Sequence, residues 1–184
     1  MLRGNRELWL AFLAMTLITG LYGLIIILTR KIPRASELFG HGIGIVGFAF
    51  MLMTETLYSL RKRSRSVRWG RMSTWLQFHI FTGIVGPYMV LLHTSWKFNG
   101  IAGMTTLFTV IIVVSGFVGR YIFTRIPRTL EGLEIEATLS QEAIKQARRL
   151  LALWHGIHIP IGMVLFISAF VHIGAALYYA TFLK

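Results

Sequence analysis

Four histidines lie in two apolar stretches at one repeated interval: His79 with His93, and His158 with His172, each pair 14 positions apart. Fourteen helical residues rise ~21 Å, about four turns. At ~100° per residue the second ring returns to within about 40° of the first. Neutral imidazole is the commonest protein ligand for transition metals. Two helices carrying this spacing side by side would hold two stacked metal centres, each taking one ligand from each helix. An iron porphyrin with two axial imidazoles needs no covalent attachment and keeps no open coordination position. Such a centre carries electrons and does not activate oxygen or substrate.

The elements that must position these rings follow from where charge is missing. The 184-residue chain is 55% hydrophobic and only 14% charged, against about a quarter charged in soluble domains. No charged residue occurs between Glu7 and Arg30, Arg71 and Lys97, Lys97 and Arg120, or Arg149 and Lys184, and only Glu55 occurs between Glu37 and Arg61. Each interval reaches the ~20 residues needed to cross a hydrocarbon core. The expected fold is therefore all-α, a polytopic membrane bundle of five helices over about 8–29, 39–60, 73–96, 99–121 and 151–181. Arg3 and Arg6 precede the first span as they would a signal peptide. Its apolar run to Thr29 is too long and lacks a small-x-small cleavage site, so it reads as a membrane anchor.

Placing charge on that topology orients it. Of 19 basic residues, 14 fall on one side: Arg3, Arg6, the cluster Arg61, Lys62, Arg63, Arg65, Arg68 and Arg71, and the set Arg120, Arg125, Arg128, Lys145, Arg148 and Arg149. The positive-inside rule then puts the N-terminus in the cytoplasm and the C-terminus outside. The net charge of +12 is assigned to anionic lipid headgroups and not to nucleic acid. The absence of cysteine excludes disulfides, thiolate-held iron–sulfur clusters and covalently attached c-type haem on this chain.

The sequence reads as a single membrane domain. Short turns join helices one to two (Arg30 to Glu37) and three to four, where Asn99-Gly100 is a turn signal. Between helices four and five, Pro127 ends a helix. Leu133, Ile135, Leu139, Ala143, Ile144 and Ala147 then recur at helical intervals among charged residues. An amphipathic cytoplasmic helix is expected at about 130–149, either lying on the interface or docking a partner.

Helices three and five also match beyond their histidines. His79-Ile80-Phe81-Thr82-Gly83-Ile84-Val85 aligns without gaps with His158-Ile159-Pro160-Ile161-Gly162-Met163-Val164. Running in the same direction, these helices would set His79 opposite His158 near the cytoplasmic side and His93 opposite His172 near the outer side. Gly83 and Gly162 follow the inner histidines by one turn, and Gly86 lies midway between His79 and His93. All three would leave room for a flat macrocycle, although glycine also serves close helix packing in membranes. The other reading of the four histidines is interhelical hydrogen bonding or a proton path. Two pairs at identical spacing favour ligation.

On these residues the chain resembles the membrane di-haem cytochromes b, a group including ferric-reductase-like transmembrane cores and respiratory cytochromes b. The resemblance covers helices two to five and rests on the doubled histidine pair. The segment Gly119-Arg120-Tyr121-Ile122-Phe123-Thr124-Arg125-Ile126-Pro127-Arg128 adds a likeness to the ferric-reductase-like members. It implies two haems b with His79, His93, His158 and His172 as axial ligands to iron, in an integral protein of a prokaryotic cytoplasmic membrane. The chain departs from the group in carrying neither a flavin or nicotinamide domain nor the second membrane domain of quinol-oxidising cytochromes.

The remaining candidates surround this core. His155, three before His158, breaks the register with helix three because it stands 17 from His172. A haem propionate or a quinone pocket would suit it. His41, at the outer start of helix two, reads as an interfacial histidine, with a ligand role left open. Glu55, if buried, would exchange a proton with a quinone, or else pair with loop arginines. Arg120 is placed to neutralise a propionate.

The leading functional reading is a non-catalytic electron-transfer subunit of an oxidoreductase complex. It would pass electrons across the membrane between a redox partner subunit and a quinone or second carrier. A self-contained quinol-linked or ferric-type reductase core is the alternative. A non-haem metal transporter is third, and the chain contains no Asp for the acidic pathway such proteins often use.

Overall fold

The computed structural model describes residues 5–63, 70–125 and 141–182. Five helices follow in order: α1 (Arg6–Thr29), α2 (Leu38–Arg63), α3 (Met72–His93), α4 (Gly100–Arg125) and α5 (Gln141–Phe182). The described residues include no strand. All five are long and apolar enough to cross a membrane. A helix satisfies its own backbone polar groups, which is what a hydrocarbon core requires. The large apolar side chains left on the exterior, such as Trp9, Leu17, Ile27, Val114, Ile167 and Phe182, then face an apolar solvent at no cost.

The helix ends follow local chemistry. Arg30 closes α1 in the left-handed conformation (φ 56°), its N–H bonded to the Ile26 carbonyl. α3 stops at His93, three residues short of the expected end, because Ser95 and Trp96 both take positive φ (50° and 63°). The Ser95 hydroxyl donates to the Pro33 carbonyl at 2.6 Å, tying this turn to the α1–α2 connection. The expected Asn-Gly turn is present, with Gly100 at φ 56°. Of the expected 130–149 helix, 130–140 lies outside the described residues. Its described part, from Gln141, is the first two turns of α5 and runs on unbroken into the apolar span.

The chain divides into two compact units, Met1–Thr106 and Leu107–Lys184. In the first, α3 is the central helix and packs on both α1 and α2. Tyr22, Ile43 and Leu92 form its buried cluster, with Ile18, Ile26, Phe39, Tyr88 and Met89 around them. Thr19 and Tyr88 share a hydrogen bond between α1 and α3. The α2–α3 contact is closest at Gly47 and Gly86. A Cβ on Gly47 would sit 2.9 Å from the Gly86 carbonyl oxygen, and one on Gly86 would sit 2.9 Å from that of Gly47. Small residues permit this approach, which drives helix association where no hydrophobic effect operates between helices. In the second unit, α4 from Leu107 onward runs antiparallel to α5, with Trp154 on Ser115 and Gly162 facing Ile112.

One ion pair secures the entry to α2. Lys31 Nζ lies 3.1 Å from Glu37 Oε1, and the Arg34 N–H donates to Glu37 Oε2 at 3.3 Å. The Lys31 hydrogen bond, then the Arg34 amide, hold the Glu37 carboxyl below its ordinary 4.5. A carboxylate depressed on folding contributes stability above its ordinary pKa and loses it as pH falls through the native value. Glu37→Gln should therefore lower thermal stability slightly at pH 7, since exposed pairs contribute little. The difference from the parent should vanish on acidification below that range, as read by melting in detergent at the two pH values.

Candidate histidine ligand sites

α3 carries His79 and His93, and both half-buried rings are held by α2. His79 Nδ1 lies 3.0 Å from the Thr54 carbonyl, and His93 Nδ1 lies 2.8 Å from the Gly40 carbonyl. A carbonyl oxygen only accepts, so in each ring Nδ1 carries the proton and Nε2 keeps the lone pair. That is the tautomer a metal ligand needs, and a hydrogen bond at the other nitrogen is the usual way proteins orient ligating histidines.

The two bonds share one register. Thr54 and Gly40 are themselves 14 positions apart, so antiparallel α2 repeats the histidine interval. Gly47 lies midway between those carbonyls and Gly86 midway between the histidines. The close crossing at these glycines thus brings two carbonyls within reach of two rings, two turns away on either side. Local chemistry completes each seat. The Thr54 and Thr82 hydroxyls meet at 2.7 Å, Thr82 being fully buried, and Tyr58 packs on His79 with ring centroids 4.9 Å apart. At His93 the neighbour is Gly44, where a Cβ would lie 2.6 Å from Nδ1.

On α5, His158 and His172 share a face with buried Gly162, Leu165 and Ala169, at successive helical positions, and both rings are half-buried. His158 Nδ1 lies 3.0 Å from Ser115 Oγ of α4. The Trp154 ring stacks on His158 (4.6 Å, 31°), and its Nε1–H donates to the Ser115 carbonyl at 2.7 Å. His155 turns Nδ1 back to the Leu151 carbonyl of its own helix, 2.9 Å away.

The other candidates separate on position. Gly83 is half-buried, with Thr54 Cγ2 in ordinary contact (3.4 Å) at the place a Cβ would take. The space beside Gly86 is filled by Gly47, Phe50 and Met51, so this glycine serves the α2–α3 crossing. Gly162 is buried with room beside it, the nearest atom to a Cβ there being Ile112 Cδ1 at 3.9 Å. His41 is exposed at the start of α2, and Arg120 is half-buried on α4. By its place in the sequence Glu55 is open to a buried, proton-exchanging place or to pairing with loop arginines. It is exposed and forms no ion pair among the described residues. The α2 face toward α3 runs through Ile43, Gly47, Met51 and Thr54, and one further residue rotates the chain ~100° off that face.

Spacing alone does not identify Thr54, Gly40, Gly44, Ser115 and Trp154, which lie against the rings. The runs Gly40-x3-Gly44-x2-Gly47 and Ser115-Gly116-x2-Gly119 are the signals that mark these faces. The described residues contain no cluster of three or more His, Cys, Asp or Glu side chains suited to a metal ion. An axial pair of imidazoles is a different donor set. Comparison with protein-family models, with curated proteins and with solved structures finds no match.

Proposed function

We propose that this chain is a di-haem b-type cytochrome subunit, with His79, His93, His158 and His172 as axial ligands to two haem irons. It would sit in a prokaryotic cytoplasmic membrane with its N-terminus in the cytoplasm. There it carries electrons between a redox partner subunit and a quinone or second carrier. The observation that carries the reading is the paired Nδ1–H bonds of His79 and His93 to α2 carbonyls at a shared 14-residue interval. These bonds also join α2 to α3; what favours ligation is that both leave Nε2 with its lone pair at the interval of the histidines. Rings held by fixed carbonyls lose little further freedom on ligating, which favours tight cofactor retention.

The bound haems would supply reversible one-electron transfer. The chain's own part is to fix four rings, keep Nε2 unprotonated and exclude water with an apolar surround. A haem passes one electron at a time, so exchange with a two-electron donor would call for a partner. The test is a reduced-minus-oxidised visible spectrum of the purified full chain, with pyridine haemochrome quantification. Two equivalents of haem b per chain are expected. Colourless protein from haem-replete cells overturns the reading.

A further inference from the structure

We propose that Ser115 and Trp154 are positioning residues that orient His158 and set its electron donation differently from that of His79 and His93. This rests on the haem reading above.

The contrast lies in the partner at Nδ1. His79 and His93 each meet a backbone carbonyl, a strong acceptor with no proton of its own. His158 meets the Ser115 hydroxyl. That oxygen is already engaged: the Trp154 Nε1–H bonded to the Ser115 carbonyl also lies 3.2 Å from Ser115 Oγ. An indole N–H only donates, so it draws electron density from that oxygen, which would accept the Nδ1 proton of His158 once Nε2 is on iron. The Nδ1–H bond of His158 is accordingly the weaker one. Its ring pushes less charge to Nε2, and a metal there is stabilised less in its oxidised state.

Orientation comes from the same group. Trp154 stands one turn before His158 and stacks on it, so ring plane and hydrogen bond are set by one side chain. The indole occupies the place where a Cβ on Gly119 would be, 2.2 Å from two of its ring atoms, and a Cβ on Gly116 would reach His158 Cε1 at only 4.0 Å. The Ser-Gly-x-x-Gly run of α4 is thus shaped to receive both rings.

The experiment is redox titration of the purified haem-loaded chain, following each b-haem absorption separately. Ser115→Ala removes the acceptor and should move one of two potentials upward while the other stays fixed. Ser115→Thr, which retains the hydroxyl, should restore it. Trp154→Phe keeps the stack but removes the N–H. It frees Ser115 Oγ to accept more strongly, so the same potential should move downward. Opposite shifts confined to one haem are not what general loosening produces. If Ser115→Ala sheds one haem, retention of both at parental potentials in Ser115→Thr supports the proposal. Loss in Ser115→Thr as well overturns it. Two haems whose potentials ignore these substitutions, or move together, overturn the positioning role while leaving the haem reading intact. A parent chain without haem overturns the reading itself.

Discussion

Replacing His93 with alanine should halve the haem recovered with the chain, from about two equivalents to about one. The remaining haem should keep its spectrum and potential. On the di-haem reading one imidazole of an axial pair would be lost, and with it one of the two iron–nitrogen bonds that hold the haem, so that haem should be retained far more loosely. His93 is the informative position because its seat is local, consisting of the Gly40 carbonyl on one nitrogen and Gly44 beneath the ring. Added imidazole should restore part of the second equivalent by occupying the vacated coordination position. Two further substitutions make the result specific. His41→Ala should leave both haems, since that residue is exposed at the start of α2. His158→Ala should lose one haem while His155→Ala keeps both, since His155 breaks the 14-residue register and turns Nδ1 to its own helix. Pyridine haemochrome assay against protein concentration reads all of these. Full haem content in His93→Ala, or loss in His155→Ala with retention in His158→Ala, would contradict the ligand assignment.

The membrane architecture was legible because it depends on averages over ~20 residues. Every interval empty of charge became a helix, and errors stayed at ends, where single residues decide. Ser95 and Trp96 stop α3 early by taking positive φ, a conformation that residues with a Cβ adopt rarely and that their types do not announce. The cytoplasmic helix and the last span, read as separate elements, are one helix where they are described, because nothing between Gln141 and Arg149 interrupts it. At the histidines, spacing showed which rings share a face of their own helix. It was silent about what holds them, since a backbone carbonyl leaves no trace in side-chain identity. Thr54 and Gly40 act through main-chain oxygens, and only the α2–α3 register reveals that they too are 14 residues apart. Glu55 shows the converse. A lone carboxylate in an apolar span leaves a proton-exchanging and an arginine-paired role both open, and its exposure follows from lying one step around the helix from Thr54.

Alanine at Gly47 and alanine at Gly44 should damage the molecule in different ways, and the difference tests whether α2 is the scaffold for both histidines. At Gly47 a Cβ would lie 2.8 Å from Met89 Cβ, 2.9 Å from the Gly86 carbonyl oxygen and 3.0 Å from the Val90 nitrogen. Two of these are backbone atoms, so the helices must part. Overpacking of this kind costs about 1–3 kcal/mol. Because the crossing lies midway between the two hydrogen bonds, separation there lengthens both. Gly47→Ala should lower the melting temperature in detergent and reduce both haems together. At Gly44 the clash is with the His93 ring itself, at 2.6 Å from Nδ1 and 2.7 Å from Cγ. A side chain can rotate where a backbone cannot, so the stability loss should be smaller. The displaced ring gives up the Gly40 carbonyl, which fixes both its orientation and its tautomer, and one haem is lost while the His79 seat persists. Gly42→Ala is the control, since a Cβ there would meet nothing within 4 Å. If Gly47→Ala sheds a single haem, or Gly44→Ala sheds both without a larger fall in melting temperature, the rings are not held by α2 in the way their hydrogen bonds imply.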